Sequence, residues 1–192
     1  MKAEFFNGTA SGMNHYDYHT RLKALWEKGV EDYSNGGRVP GAYLTEEERA
    51  FLGEIGANEQ DLYDFTDDSI RYGEPDFEMF WAVQSMRFNY FKMIMKNRPG
   101  DYIAPMAAYS PNDAEINGIP WLPRIIQKAK RKLRGELDPD IMYGCGGDRQ
   151  FCKTHNLHLA EFLQLVWNHW DDHQAIAAYI EAHSPALQKQ EV

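Results

Sequence analysis

Met142 to Phe151 reads MYGCGGDRQF and gathers the thiol of Cys145, the carboxylate of Asp148 and the guanidinium of Arg149 around Gly144, Gly146 and Gly147. Consecutive glycines can turn several backbone N–H groups toward one point, and a helix beginning right after them adds partial positive charge. In that field Cys145 has its thiolate favoured. Asp148 can act as a general base once partly desolvated, and Arg149 offers a bidentate fork for a carboxylate or phosphate. His158, near the start of the helix that follows, is the histidine best placed for acid–base work. The catalytic candidates are therefore Cys145, Asp148 and His158. Trp121, Arg124, Tyr143 and Arg149 are the candidates to hold a small anionic substrate.

A purely structural reading of the same residues is equally concrete. Asp148 can cap the helix, Arg149 can pair with a neighbouring acid, and Cys145 can be a small buried filler. No strand precedes the glycines, so neither a dinucleotide fingerprint nor a P-loop applies. Five of the seven histidines, His155, His158, His169, His173 and His183, fall near the C-terminal end. His169 and His173 in HWDDH have the spacing of two metal ligands on one helical face. Asp171 and Asp172 read better as caps of a new helix, which breaks that register, and no second motif supplies further ligands. His15 and His19 in NHYDYH form a similar pair at the exposed start of the first helix. The expectation is an enzyme of lyase, isomerase or hydrolase type that needs no metal and no organic cofactor. The alternative is a non-catalytic helical module that binds a partner protein, with a His/Asp metal enzyme as a minor branch.

The elements that must position these residues are helical almost throughout. Met79, Val83, Met86, Tyr90 and Met93 recur in steps of four and three on one face of a long helix, Asp76 to Asn97. Phe77, Phe80, Trp81, Phe88 and Phe91 make that helix apolar nearly all round, which places it at the centre of the core. Pro75 suits its first turn, and NRPG stops it. A capping box, Thr45 to Glu48, opens LTEEERAFLGEIG, which ends at Gly56, and ANEQDLYDFTDDSI forms the next helix. Pro123 fits the first turn of a basic helix whose Ile125, Ile126, Ala129 and Leu133 face inward, with Gly135 at its end. The stretch between, 99–123, has no helical period and carries the prolines of an ordered crossover. The fold class expected is all-α, a single compact helical bundle over 1–192, with a flexible tail at 184–192.

Length and composition agree with one domain that buries a real core: the chain has 192 residues, 43% of them hydrophobic and 14% aromatic. No apolar run is long enough to span a bilayer, and MKAEFFNGTASG has no apolar segment of signal-peptide length. Cys145 and Cys152 are too few for a disulfide framework, and on a helix starting in the glycine loop they lie roughly 10 Å apart. A cytoplasmic location with reduced thiols follows. The net charge of −9 speaks against a nucleic-acid partner. Arg124 to Arg134, RIIQKAKRKLR, nevertheless concentrates six of the twenty basic residues without an acid, a local anion-binding hint set against the plainer reading of a solvated helical face. The partners expected are thus a small anionic molecule, with no nucleic acid and no membrane, and a homodimer is allowed.

An internal echo runs through the chain. ERAFLGEIGANEQDLYDF from Glu48 lies on DRQFCKTHNLHLAEFLQL from Asp148 at an offset of 100, matching Arg49 to Arg149, Phe51 to Phe151, Gly56 to Asn156, Asp61 to Glu161 and Leu62 to Phe162. Glycine and asparagine best accept a left-handed helix end, so the match makes physical sense. Repeat halves at about 45–98 and 145–183 are slightly favoured over chance likeness between amphipathic helices. GIPWLPRIIQKAKRKLRGE, followed by YGCGGDRQF and HLAEFLQLVW, resembles a family of small, mostly bacterial proteins known as domain of unknown function DUF5069. The resemblance extends from about Gly29 to His183, and Trp-Leu-Pro-Arg and Tyr-Gly-Cys-x-x-Asp-Arg are its specific parts. It implies an intact single-domain fold and brings no activity or catalytic residue with it.

Overall fold

A computed structural model describes residues 16–188, and it is all-α. The chain runs through α1 (Tyr18–Ser34), α2 (Glu46–Glu54), α3 (Glu59–Tyr72), α4 (Phe77–Met93), α5 (Leu122–Arg134), α6 (Gly146–Thr154), α7 (Leu159–Asn168), α8 (His173–His183) and α9 (Pro185–Gln188). His15, half of one expected histidine pair, lies outside the described residues, as does the N-terminal stretch in which no export signal is read.

Local chemistry sets most boundaries. Thr45 and Glu48 form the expected reciprocal capping box on α2, while Asn58, Asp76 and Asp172 cap α3, α4 and α8 through their side chains. Gly56, Gly73 and Gly135 adopt positive φ at helix ends, and Asn156 does the same at φ 56°. Pro75 stands just before the Asp76 cap rather than in the first turn.

α4 sits where expected, packed against α1, α5 and α7. It is shorter than its periodicity suggests. The helix stops at Met93, because Met93 and Ile94 face solvent and Lys96 and Asn97 turn the chain with φ of 55° and 58°. Phe80 anchors the core from α4, with the rings of Trp26 and Phe65 at 5.3 and 5.0 Å. The stretch expected as an irregular crossover contains a short helical turn, Met106–Ala108, and a hairpin pairing Glu115 with Pro120 around Asn117-Gly118, a turn sequence that favours such pairing. The expected C-terminal tail is in part structured: Ser184 is buried and Pro185–Gln188 is helical.

The offset of 100 residues reaches further than the two stretches that suggest it. α2 and α6 coincide end to end, and α1 and α5 end at the equivalent positions 34 and 134. Arg49 donates to the carbonyl of Gly41 and Arg149 to that of Gly144, both at 2.7 Å. Ala57 N bonds to Leu52 O and Leu157 N to Cys152 O, both at 2.8 Å. Even an ion pair recurs: Lys28 with Glu48, and Lys128 with Asp148.

α5 corrects the picture of a solvated basic face. Its apolar stripe, Ile125, Ile126, Ala129 and Leu133, is fully buried as expected, but Lys128 and Lys132 share that stripe and are buried with it. Lys132 reaches Asp61 at 2.7 Å and Gln84 at 3.3 Å. Burial pushes the Lys132 ammonium below its usual range, and Asp61 opposes that push.

Candidate functional site

Where α5 meets the start of α6, three features lock together. Trp121 stands at the N-terminus of α5 with φ 69°, a left-handed conformation costly for a bulky side chain. Its indole N–H donates to Asp148 Oδ1 at 2.9 Å, and its ring lies against Gly147, where an added Cβ would sit 2.7 Å from the indole. Glycine at 147 is therefore a matter of close approach. Gly144, at φ 95°, makes the tight entry to α6 beneath Phe65 and Leu159.

Asp148 is fully buried. Besides Trp121 it accepts hydrogen bonds from Lys128 Nζ and from the Gly144 N–H, the latter at 2.8 Å. A buried pair with this many satisfied lone pairs is sustainable, whereas removing either partner strands a charge. The Gly144 N–H thus already serves Asp148. Cys145 is the N-cap of α6 without a side-chain capping bond, and its sulfur lies 3.1 Å from Lys128 Nζ.

Arg149 does not face the same way. Its Nη1 binds Asp68 at 2.6 Å and the Gly144 carbonyl at 2.7 Å, while Nε reaches Glu74 at 3.3 Å. The side chain is buried, so the expected anion fork is an internal brace joining α6 to α3. Tyr143 is likewise core: its hydroxyl donates to Leu159 O at 2.7 Å. His158 is exposed and caps α7, its Nδ1 accepting from Ala160 N at 3.1 Å. Of the seven sequence candidates, Trp121, Arg124 and Cys145 line one cavity. Asp148 stands directly behind it, while Tyr143, Arg149 and His158 stand apart from its walls.

That cavity, about 480 Å³, opens between α3, α5 and the entry to α6, and Lys128, Gln60, Asp64, Asp67, Asp68 and Asp140 also line it. Arg124 donates to Ser110 O at 2.7 Å and lies 5.8 Å from the rings of Tyr109 and Trp121. Asp61, Asp64 and Asp68 form a row on α3 at helical spacing. Asp61 is paired with Lys132 and Asp68 with Arg149, whereas among the described residues Asp64 forms no salt bridge and accepts from the Gln60 amide at 2.6 Å. Burial pushes the Asp64 carboxyl up to about 7, helped by Asp61 and Asp68 and opposed by Gln60 and Lys132.

Lys128 and Asp64 are the residues that sequence reasoning overlooked. Both leave a trace: lysines at 128 and 132 interrupt an otherwise apolar inner stripe, and DLYDFTDD places three acids on one helical face. The histidine pair at 169 and 173 is split as expected, with His169 ending α7, Asp172 capping α8 and His173 its first residue. Among the described residues no group of three or more His, Cys, Asp or Glu side chains is arranged to hold a metal ion. No described helix is long and apolar enough to cross a membrane.

The fold and site define an all-α protein in which a buried lysine–carboxylate pair, Lys128 with Asp148, forms part of a cavity wall and its backing. Residues 107–192 match the family described as "Domain of unknown function (DUF5069)", the family that the Trp-Leu-Pro-Arg and Tyr-Gly-Cys stretches resemble. The match takes in Trp121, Arg124, Lys128, Cys145 and Asp148, while α3 with Asp64, and all of the stretch from Gly29 to residue 106, lie outside it. No curated protein and no solved structure matches the chain.

Proposed function

We propose that the protein is an enzyme that carries out acid–base and thiol chemistry on a small polar molecule in the cavity between α3, α5 and α6. One observation carries the reading: Asp64, the acid of its row with no salt bridge among the described residues, opens on the same cavity as Cys145 with its lysine contact. A carboxyl titrating near neutrality can both give and take a proton at working pH. The Lys128 ammonium, held from behind by Asp148, can stabilise negative charge as it develops on the sulfur. Arg124 keeps part of its guanidinium for an anionic group of the substrate, and Trp121 supplies an apolar wall. Asp64 and Asp140, on other parts of the wall, suit hydroxyl or amino groups. The substrate class is therefore a small molecule with an anionic end and a hydrogen-bond-donating end. Lyase, isomerase or hydrolase chemistry can run on these groups without an organic cofactor, and a cytoplasmic setting would keep the thiol reduced.

A panel of small hydroxy and amino acids and their phosphorylated counterparts, screened by thermal shift and then for turnover, tests this. A ligand of the cavity should stabilise the wild type and lose its effect in Arg124→Gln, and turnover should vanish in Cys145→Ala and fall in Asp64→Asn. Turnover that survives both of the last two changes would sink the proposal. The interaction-module reading has one observation in its favour, the exposed apolar side chains of Met93, Ile94, Ile103 and Met106 around the start of the crossover.

A further inference from the structure

The outer face of α5 forms a second concavity, about 340 Å³, lined by Tyr102, Gln127, Lys130, Arg131, Arg134, Glu136 and Trp170. We infer that this groove is a binding site for a phosphate-bearing small molecule, separate from the cavity at Cys145. Three cations line it, and two of them share one carboxylate. Arg131 and Arg134 both bind the buried Glu136, through its Oε2 at 2.9 Å and its Oε1 respectively. Each guanidinium gives Glu136 one N–H bond, and its remaining N–H groups can serve phosphate oxygens.

Lys130 adds the third positive charge. Its ammonium lies 3.0 Å from His173 Nε2 and 5.3 Å from the Trp170 ring, and no carboxylate among the described residues is salt-bridged to it. Burial lowers both Lys130 and His173 from their ordinary values, and the Lys130 charge adds to the push on the imidazole. An imidazole contact does not supply the negative charge that a carboxylate would. Asp171 faces Lys130 at longer range, which leaves the groove short of negative charge in a chain whose net charge is −9. Tyr102 and Trp170 flank the groove and offer aromatic surface beside the cations. Arg131 stands 5.3 Å from the Tyr102 ring, so the aromatic walls also fix the cations in place. A phosphate or diphosphate group supplies the missing charge and enough acceptors for all three cations.

The test is calorimetric titration with inorganic pyrophosphate at constant ionic strength, run beside sulfate and a nucleoside diphosphate. Pyrophosphate should bind one site per chain. Lys130→Gln and Arg134→Gln should each weaken it about tenfold, the loss of one charge-assisted contact. Arg124→Gln, in the other cavity, should leave it unchanged. Tighter binding of the nucleoside diphosphate than of pyrophosphate would mean that the aromatic walls also take the organic part, and equal binding would mean recognition of the phosphates alone. No binding beyond the sulfate control, or binding lost in Arg124→Gln and kept in Lys130→Gln, would overturn the inference. Should Arg134→Gln misfold through release of Glu136, Lys130→Gln decides by itself.

Discussion

The corner joining α2 to α3 and the corner joining α6 to α7 are built to one plan and put to different use. Each begins at an extended N-cap, Thr45 or Cys145, with φ and ψ of −75° and 166° in one and −61° and 170° in the other. Each carries an acid at its third helical residue that turns back to a backbone N–H and binds a lysine from twenty residues earlier, Glu48 with Lys28 and Asp148 with Lys128. Each next places an arginine on a loop carbonyl, and each ends on a left-handed residue, Gly56 or Asn156. The first pair is solvated, with Lys28 and Glu48 side chains 36% and 27% exposed; the second is at 3% and 0%. In the first corner the cap is a hydroxyl that accepts from the helix. In the second it is a thiol that caps nothing and touches the lysine. The first cap thus serves its own helix, and the second touches a buried cation from α5.

Breaking the two ion pairs should therefore cost unequally. Lys128→Met leaves Asp148 charged in the interior and should destabilise the fold by about 3–5 kcal/mol. Lys28→Met should cost no more than about 1 kcal/mol, the range for exposed pairs. Urea denaturation of both variants measures this, and equal costs would remove the distinction between the corners.

The arginines sharpen it further. Arg149 ties α6 to Asp68 and Glu74 and is buried, so Arg149→Ala should cost roughly 1–3 kcal/mol. Arg49 pairs with Glu59 on the surface, and Arg49→Ala should fall below about 1 kcal/mol. A stable Arg149→Ala protein that no longer binds small anions would restore the anion-fork reading of MYGCGGDRQF.

How far this could be read from the residues alone depends on what each feature needs. Caps and helix ends are local, so Thr45–Glu48, Gly56, Gly135 and Asn156 were legible, as was the inward stripe of α5. The end of α4 was not, because the apolar pattern continues to Met93 and Ile94 although both side chains face solvent. MYGCGGDRQF stood out as a site on composition, yet Arg149 and Tyr143 belong to the packing beneath it. Which acid receives which cation is a tertiary fact. Asp64 is notable only because Lys132 and Arg149 pass on either side of it to reach Asp61 and Asp68.

That isolation gives a pH signature. The folded carboxyl of Asp64 titrates near 7 and an unfolded one near 4, so the folded state holds the extra proton between those values. Binding protons in the folded state makes stability fall as pH rises through that window, the reverse of a salt-bridged acid. Wild-type unfolding free energy, measured from pH 4.5 to 8, should therefore carry a downward contribution that Asp64→Asn removes. The slope is bounded by one proton, about 1.4 kcal/mol per pH unit, and water at the cavity mouth reduces it. An unchanged profile in Asp64→Asn would place the carboxyl in ordinary solvent and take it out of the proposed chemistry.

The smallest effect on stability, and the most direct probe of the comparison, is an exchange of the two caps. The Thr45 hydroxyl accepts from Glu48 N at 3.3 Å, and a thiol is a weak acceptor, so Thr45→Cys should cost about 0.5–1 kcal/mol. Cys145→Thr has the backbone angles to gain the bond that Cys145 does not make and should recover a few tenths of that, or up to the same amount. The double exchange should be nearly neutral in stability while moving the thiol from one corner to the other. Reactivity should not follow it. Cys145 has the buried Lys128 ammonium beside it, whereas a cysteine at 45 would meet a lysine exposed to water. Cys152 is the internal standard, because burial pushes its thiol up to about 12. Timed alkylation with peptide mapping at neutral pH should label Cys145 of the wild type first and Cys152 last, and should label a cysteine at 45 at the rate of a free surface thiol. A thiol equally fast at 45 and 145 would mean that the helix N-terminus, common to both corners, sets the reactivity and that Lys128 contributes nothing to it.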